Sequence, residues 1–107
     1  MSAPIAERRL LFAPKGSSDR REFFVRVGAP YAVEAGSVNF SVDKGVAACS
    51  VSFDGVGDGE PHHIYGADSV QALELAVSMI EPFLEQLSKN YDIYFPTGEN
   101  YFETDKT

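Results

Sequence analysis

The sequence predicts an α+β domain: an antiparallel sheet of four to five strands, covered on one face by one long helix, in the order ββββαβ. Three observations predict it. Apolar residues alternate with period two in several short runs, one stretch beyond residue 68 carries them at helical spacing, and clusters rich in Gly, Pro and Ser separate these segments.

The first strand is read in residues 5–13, Ile-Ala-Glu-Arg-Arg-Leu-Leu-Phe-Ala, and the second in residues 22–27, with a Pro-Lys-Gly-Ser-Ser-Asp loop between them. In the second run Phe23, Val25 and Val27 share one face while Glu22, Phe24 and Arg26 share the other. Residues 28–37 hold too much Gly and Pro for regular structure. Alternation then returns in Val38, Phe40 and Val42, and again in Ala47, Cys49, Val51 and Phe53, across an Asp43-Lys44-Gly45 turn in which Gly45 can take positive φ. One face of this hairpin is expected to be buried and the other, lined by Ser and Asn, to be wet.

Residues 54–67, with four glycines and a proline, read as a loop. Asp68 fits a helix N-cap with Gln71 as its return partner. The apolar stripe Val70, Leu73, Ala76, Val77, Ile80, Leu84 and Leu87 carries the helix to about Lys89. Pro82 lacks an amide donor and crowds the Ser78 carbonyl, so a kink or break is expected near Glu81. Leu75, Met79 and Phe83 lie off the stripe and, with Tyr94, are the interface candidates. Either the C-terminal segment or a second molecule covers them. Tyr91 to Phe95 reads as an edge strand because Pro96 follows at once. Residues 97–107 are expected to fray, with Tyr101 and Phe102 available to pin them.

The 107 residues suit one domain, and 44% hydrophobic content with eight Phe and five Tyr supplies one core. Cys49 is the only cysteine, so no disulfide framework is expected, and with no apolar run of signal or membrane length the expected location is the cytoplasm. Net charge is −7, unevenly spread: six basic against three acidic side chains in residues 1–26, three against thirteen in residues 27–107. Such a chain is repelled by nucleic acid and anionic lipid, which leaves a protein partner, basic in character, as the expected one.

The segment from Asp54 to Tyr65 holds most of the candidate chemistry. Asp54, Asp58, His62 and His63 are of metal-ligand type, but Val56 and Tyr65 break the calcium-loop spacing, and adjacent histidines in an extended chain point to opposite sides. Cys49 alternates onto the buried face, where a thiol behaves as a small hydrophobe. The glycines at 55, 57 and 59 form no phosphate-binding pattern, and no serine sits in a nucleophile elbow. No catalytic residue and no cofactor is therefore assigned.

The stretch Asp54-Gly-Val-Gly57, the run Tyr65-Gly-Ala-Asp-Ser-Val-Gln-Ala-Leu-Glu-Leu-Ala76, an opening Ile5-Ala-Glu-Arg8 strand and an Arg26-Val-Gly-Ala-Pro-Tyr31 stretch together resemble a family of short bacterial proteins that is known only as a domain of unknown function. The resemblance covers most of residues 5–87, lacks a tryptophan expected in the third strand, and implies a bacterial origin and no activity. The expectation is a non-enzymatic protein-interaction module, of which an inhibitor or immunity-type partner is one form, acting as monomer or homodimer. The alternatives are a small metal-dependent hydrolase built on Asp54 to His63, and an architectural homodimer.

Overall fold

The computed structural model describes residues 4–34, 45–57 and 59–102. They form strands β1 (Ala6–Pro14), β2 (Arg21–Val27), β3 (Tyr31–Ala32), β4 (Ala47–Asp54) and β5 (His62–Gly66), then helices α1 (Ser69–Ser78) and α2 (Ile80–Leu87), and finally β6 (Tyr91–Tyr94). All pairings are antiparallel, so the α+β reading stands. The strand expected at Val38 to Val42 and most of its turn lie outside the described residues; Gly45, at the end of that turn, does have φ of +96°.

The sheet follows the path β3-β4-β2-β1-β6, with β5 also paired to β4. Val27 faces Val51, the Gly28 amide donates to the Ser50 carbonyl at 2.9 Å, and Tyr31 faces Ala48. β3 therefore continues β2 along the same edge of β4 after one extra residue, a bulge at Gly28 to Pro30 that bends the strand. β5 takes the opposite edge of β4, from Ala47 against Gly66 to Val51 against His62. Residues 62–66 read as loop in the sequence. They are too short for a hydrophobic period, so β4 supplies what the local pattern lacks.

Period two then sorts the side chains. Leu10, Phe12, Phe23, Val25, Val27, Cys49, Val51 and Phe53 all point to the helix side and are buried there. Phe12 meets Phe23 and Tyr91 edge-on at 5.6 and 5.3 Å between centroids. Full burial of a side chain such as Phe23 is worth about 1.5–3 kcal/mol. Asp68 caps α1 as its spacing suggested: its carboxylate accepts from the Gln71 amide at 2.8 Å, while Gln71 Oε1 accepts from the Ala67 amide at 2.6 Å.

The buried face of the helix differs from the expected stripe. Ala72, Ala76 and Leu84 are fully buried, with Leu73, Ile80, Phe83 and Leu87 packed beside them, whereas Val70 and Val77 are 66% and 51% exposed. Small residues win because α1 lies close on β4 and β5: a Cβ on Gly66 would stand 2.4 Å from the Ala72 nitrogen. The bend falls at Met79, three residues before Pro82. Proline thus occupies the first turn of α2, where its absent amide has no helical acceptor to lose.

Beyond β6 the chain turns back, with Asn100 bridging to Tyr94 and the Tyr101 amide donating to the Ile93 carbonyl at 2.9 Å. The Tyr101 hydroxyl donates to Glu81 and accepts from Arg8 at 2.6 Å, and Arg8 lies 3.5 Å from Glu81. This cluster ties β1, α2 and the C-terminal turn together. Burial, and then the bond to Glu81, push the Tyr101 phenol up to about 12.

Two outcomes test this packing. Gly66→Ala is expected to cost about 1–3 kcal/mol, because the clash is with backbone; urea unfolding at unchanged m checks it. A phenol that holds its proton more tightly when folded stabilises the fold below pH 10, and that contribution is lost as pH rises through about 12. Tyr101→Phe should therefore flatten the fall of the urea midpoint across that window.

Candidate functional site

The face of the sheet away from the helix is concave. Alternate residues reach it: Arg26 of β2 and Gly28 just beyond that strand, and Ser50, Ser52 and Asp54 of β4. Glu7 of β1, Tyr31 of β3 and His63 of β5 join them around an open concavity of about 750 Å³. That volume falls inside the range of roughly 300–1,000 Å³ typical of ligand sites.

At one end Arg26 is held between two acids. Its Nε donates to Glu7 Oε2 at 2.6 Å and its Nη1 to Asp54 Oδ2 at 2.7 Å. Ser52 Oγ also donates to Asp54 Oδ2, at 3.4 Å, and the guanidinium lies 4.7 Å from the centre of the Phe24 ring. The hydrogen bond to Glu7, then that to Asp54, raise the Arg26 pKa further above its already high value, so this group stays charged. At the other end the Tyr31 hydroxyl and His63 Nδ1 share a hydrogen bond of 3.0 Å, with their rings edge to face. Desolvation pushes the Tyr31 phenol up. Between the two ends Gly28 lies against Ser50, where a Cβ would stand 2.4 Å from Ser50 Oγ and would turn that hydroxyl aside.

The residues singled out in the sequence separate into two sets. Asp54 and His63 line the concavity, whereas His62 faces the helix side and stacks on Phe83 at 4.5 Å and 23°. The two histidines thus lie on opposite faces, as an extended segment requires. Asp58 lies outside the described residues, and among the described residues no three His, Cys, Asp or Glu side chains gather as a metal site would need. Cys49 is fully buried on the helix side, donates from Sγ to the Gly28 carbonyl at 3.2 Å, and has its thiol pushed up by desolvation.

Of the interface candidates, Leu75 is 40% exposed, Met79 is half-buried at the helix bend, and Phe83 packs edge-on against Phe53 at 5.5 Å. Tyr94 is half-buried on the open face, with the Arg20 guanidinium 3.9 Å from its ring centre. No described helix is long and apolar enough to cross a membrane. Glu7, Arg26 and Tyr31 were not singled out in the sequence as site residues. Arg26 had been placed on the outer face of its strand, but its partners stand 19 and 28 residues away, and only the register of three strands brings them together.

The family described as Domain of unknown function (DUF6968) matches residues 6–101, which include every described residue of the concavity except Pro4. The chain belongs to that family. No curated protein and no solved structure matches it. Within the DUF6968 region lie β1 to β6 and both helices, so the family match spans the whole sheet and its cover.

The placement of Cys49 gives a direct check. Alkylation at pH 8 should run roughly a hundredfold slower in the native protein than in urea, as burial and a raised thiol pKa require. Mass spectrometry of timed samples reads it; comparable rates would put the thiol at the surface.

Proposed function

We propose that the chain is a non-enzymatic, cytoplasmic protein-interaction module that receives a segment of a partner polypeptide in the open concavity of its sheet. The observation that carries this reading is the Glu7–Arg26–Asp54 bracket at one end of that concavity. Two carboxylates around one guanidinium leave a local charge of −1, and each carboxylate has a second oxygen beyond the one that takes Arg26. The bracket therefore suits a partner that offers a single basic group, and repels an anionic one.

The chain's overall charge of −7 acts in the same sense, steering basic partners towards it. Tyr31 and His63 at the far end supply rigid, amphipathic contact area of the kind that recognition surfaces use. An inhibitor or immunity-type role in a bacterial cell is the form that such a module would take against a basic target. Among the described residues the Cys49 thiol is buried, pushed up by desolvation and bonded to the Gly28 carbonyl rather than to a histidine, which supports the non-catalytic reading.

The test uses N-acetyl-arginine methylamide as a probe, titrated against isotope-labelled protein. Perturbation of the Ser52, Asp54 and His63 signals is expected, weakening at least about threefold between low and physiological salt. Glu7→Gln with Asp54→Asn should weaken binding roughly tenfold, about what loss of two charge-assisted contacts at the surface implies. Equal response to the neutral N-acetyl-glutamine methylamide would refute the reading.

A further inference from the structure

On the helix side of the segment from Asp54 to His62 lies a second, smaller cleft of about 180 Å³. Its walls include Phe53, Val56, His62, Phe83 and Leu87. The rings form a continuous lining: His62 stacks on Phe83, and Phe53 meets Phe83 edge-on at 5.5 Å and His62 at 6.4 Å. The volume is well below the roughly 300 Å³ at which small-molecule sites begin, and equals the share of about six waters in the liquid. One apolar side chain fits it better than a whole ligand.

Position decides whose side chain this is. Gly59 lines both the cleft and the larger concavity, so one thin wall separates them, and the neighbours His62 and His63 face one each. A compact molecule fills one hollow or the other. An extended polypeptide crossing that wall reaches both.

We infer that the cleft is the anchor pocket for an aliphatic side chain of the same polypeptide that sets its basic group beside Glu7 and Asp54. This rests on the concavity being the docking surface, and it adds the second half of what is recognised: a basic and an aliphatic residue on one segment. The two halves do different jobs, since charge steers the encounter while a desolvated apolar anchor holds the complex.

N-acetyl-leucine methylamide tests the cleft separately from the concavity. Its titration is expected to shift the His62, Phe83 and Leu87 signals and leave Ser52 still, while the arginine probe does the reverse. His62→Ala, which removes the ring stacked on Phe83, should weaken the leucine probe at least threefold and leave the arginine probe unchanged. Retained dispersion of the Val25 and Val51 amides shows that the variant is folded. If the leucine probe shifts nothing at tens of millimolar, or if N-acetyl-glutamine methylamide shifts the same signals equally, the anchor pocket is overturned whatever the arginine probe does. If the leucine probe binds and the arginine probe does not, the cleft still takes an aliphatic side chain, but the reading of the larger concavity falls and with it the inferred two-part segment.

Discussion

The strict alternation of β4, paired along both edges, is the constraint on which the rest of the structure depends. Between Ala47 and Asp54 the strand bonds to β2 and β3 on one side and to β5 on the other, so it cannot slip by one residue without breaking three ladders. A slip would also carry Cys49, Val51 and Phe53 out of the core and put Ser50, Ser52 and Asp54 into it. The cost of burying those polar groups fixes the register, and the register fixes the concavity. Core and candidate site are therefore two faces of one decision.

A second constraint comes from how closely the helix approaches. Gly66 and Ala72 meet with no room for another carbon, and this contact seats α1 on β4 and β5. In α1 the larger Leu73 is left half-buried beside the alanines, whereas in α2, past the bend, Leu84 is fully buried. The bend at Met79 lets α2 turn towards β1, where Glu81 meets Arg8 and Tyr101. Arg8 points to the helix side of β1, and its half-exposed charge is answered by those two groups as well as by water.

Much of this was legible in the residues themselves. The period of two gave the core faces of β2 and β4, the cap at Asp68 gave the start of α1, and Pro96 gave the edge position of β6. What escaped was whatever depends on tertiary approach. A helical stripe counted by hydrophobicity includes Val70 and Val77, because periodicity cannot know that the neighbouring strand is near enough to admit only alanine. β5 escaped for a related reason: five residues with two histidines and a glycine carry no alternation of their own, and become a strand because β4 offers them an edge. The concavity was half legible. Asp54 and His63 drew notice by residue type, whereas Glu7, Arg26 and Tyr31 are ordinary residues made special by strand register.

The bracket around Arg26 shows why that register matters chemically. On an isolated strand Arg26 would be one more solvated cation, and a surface ion pair contributes little to stability. Here the same guanidinium bonds a carboxylate on each side and lies over the Phe24 ring, three contacts that a solvated surface arginine would lack. The acids are placed in turn by pairing: Glu7 stands directly opposite Arg26 on the part of β1 that pairs with β2, and Asp54 stands at the last pairing of β4. A partner group entering the concavity meets charges already in place. Little ordering entropy remains to be spent on binding, and that preorganisation, more than the number of charges, is what a recognition surface on so small a domain requires.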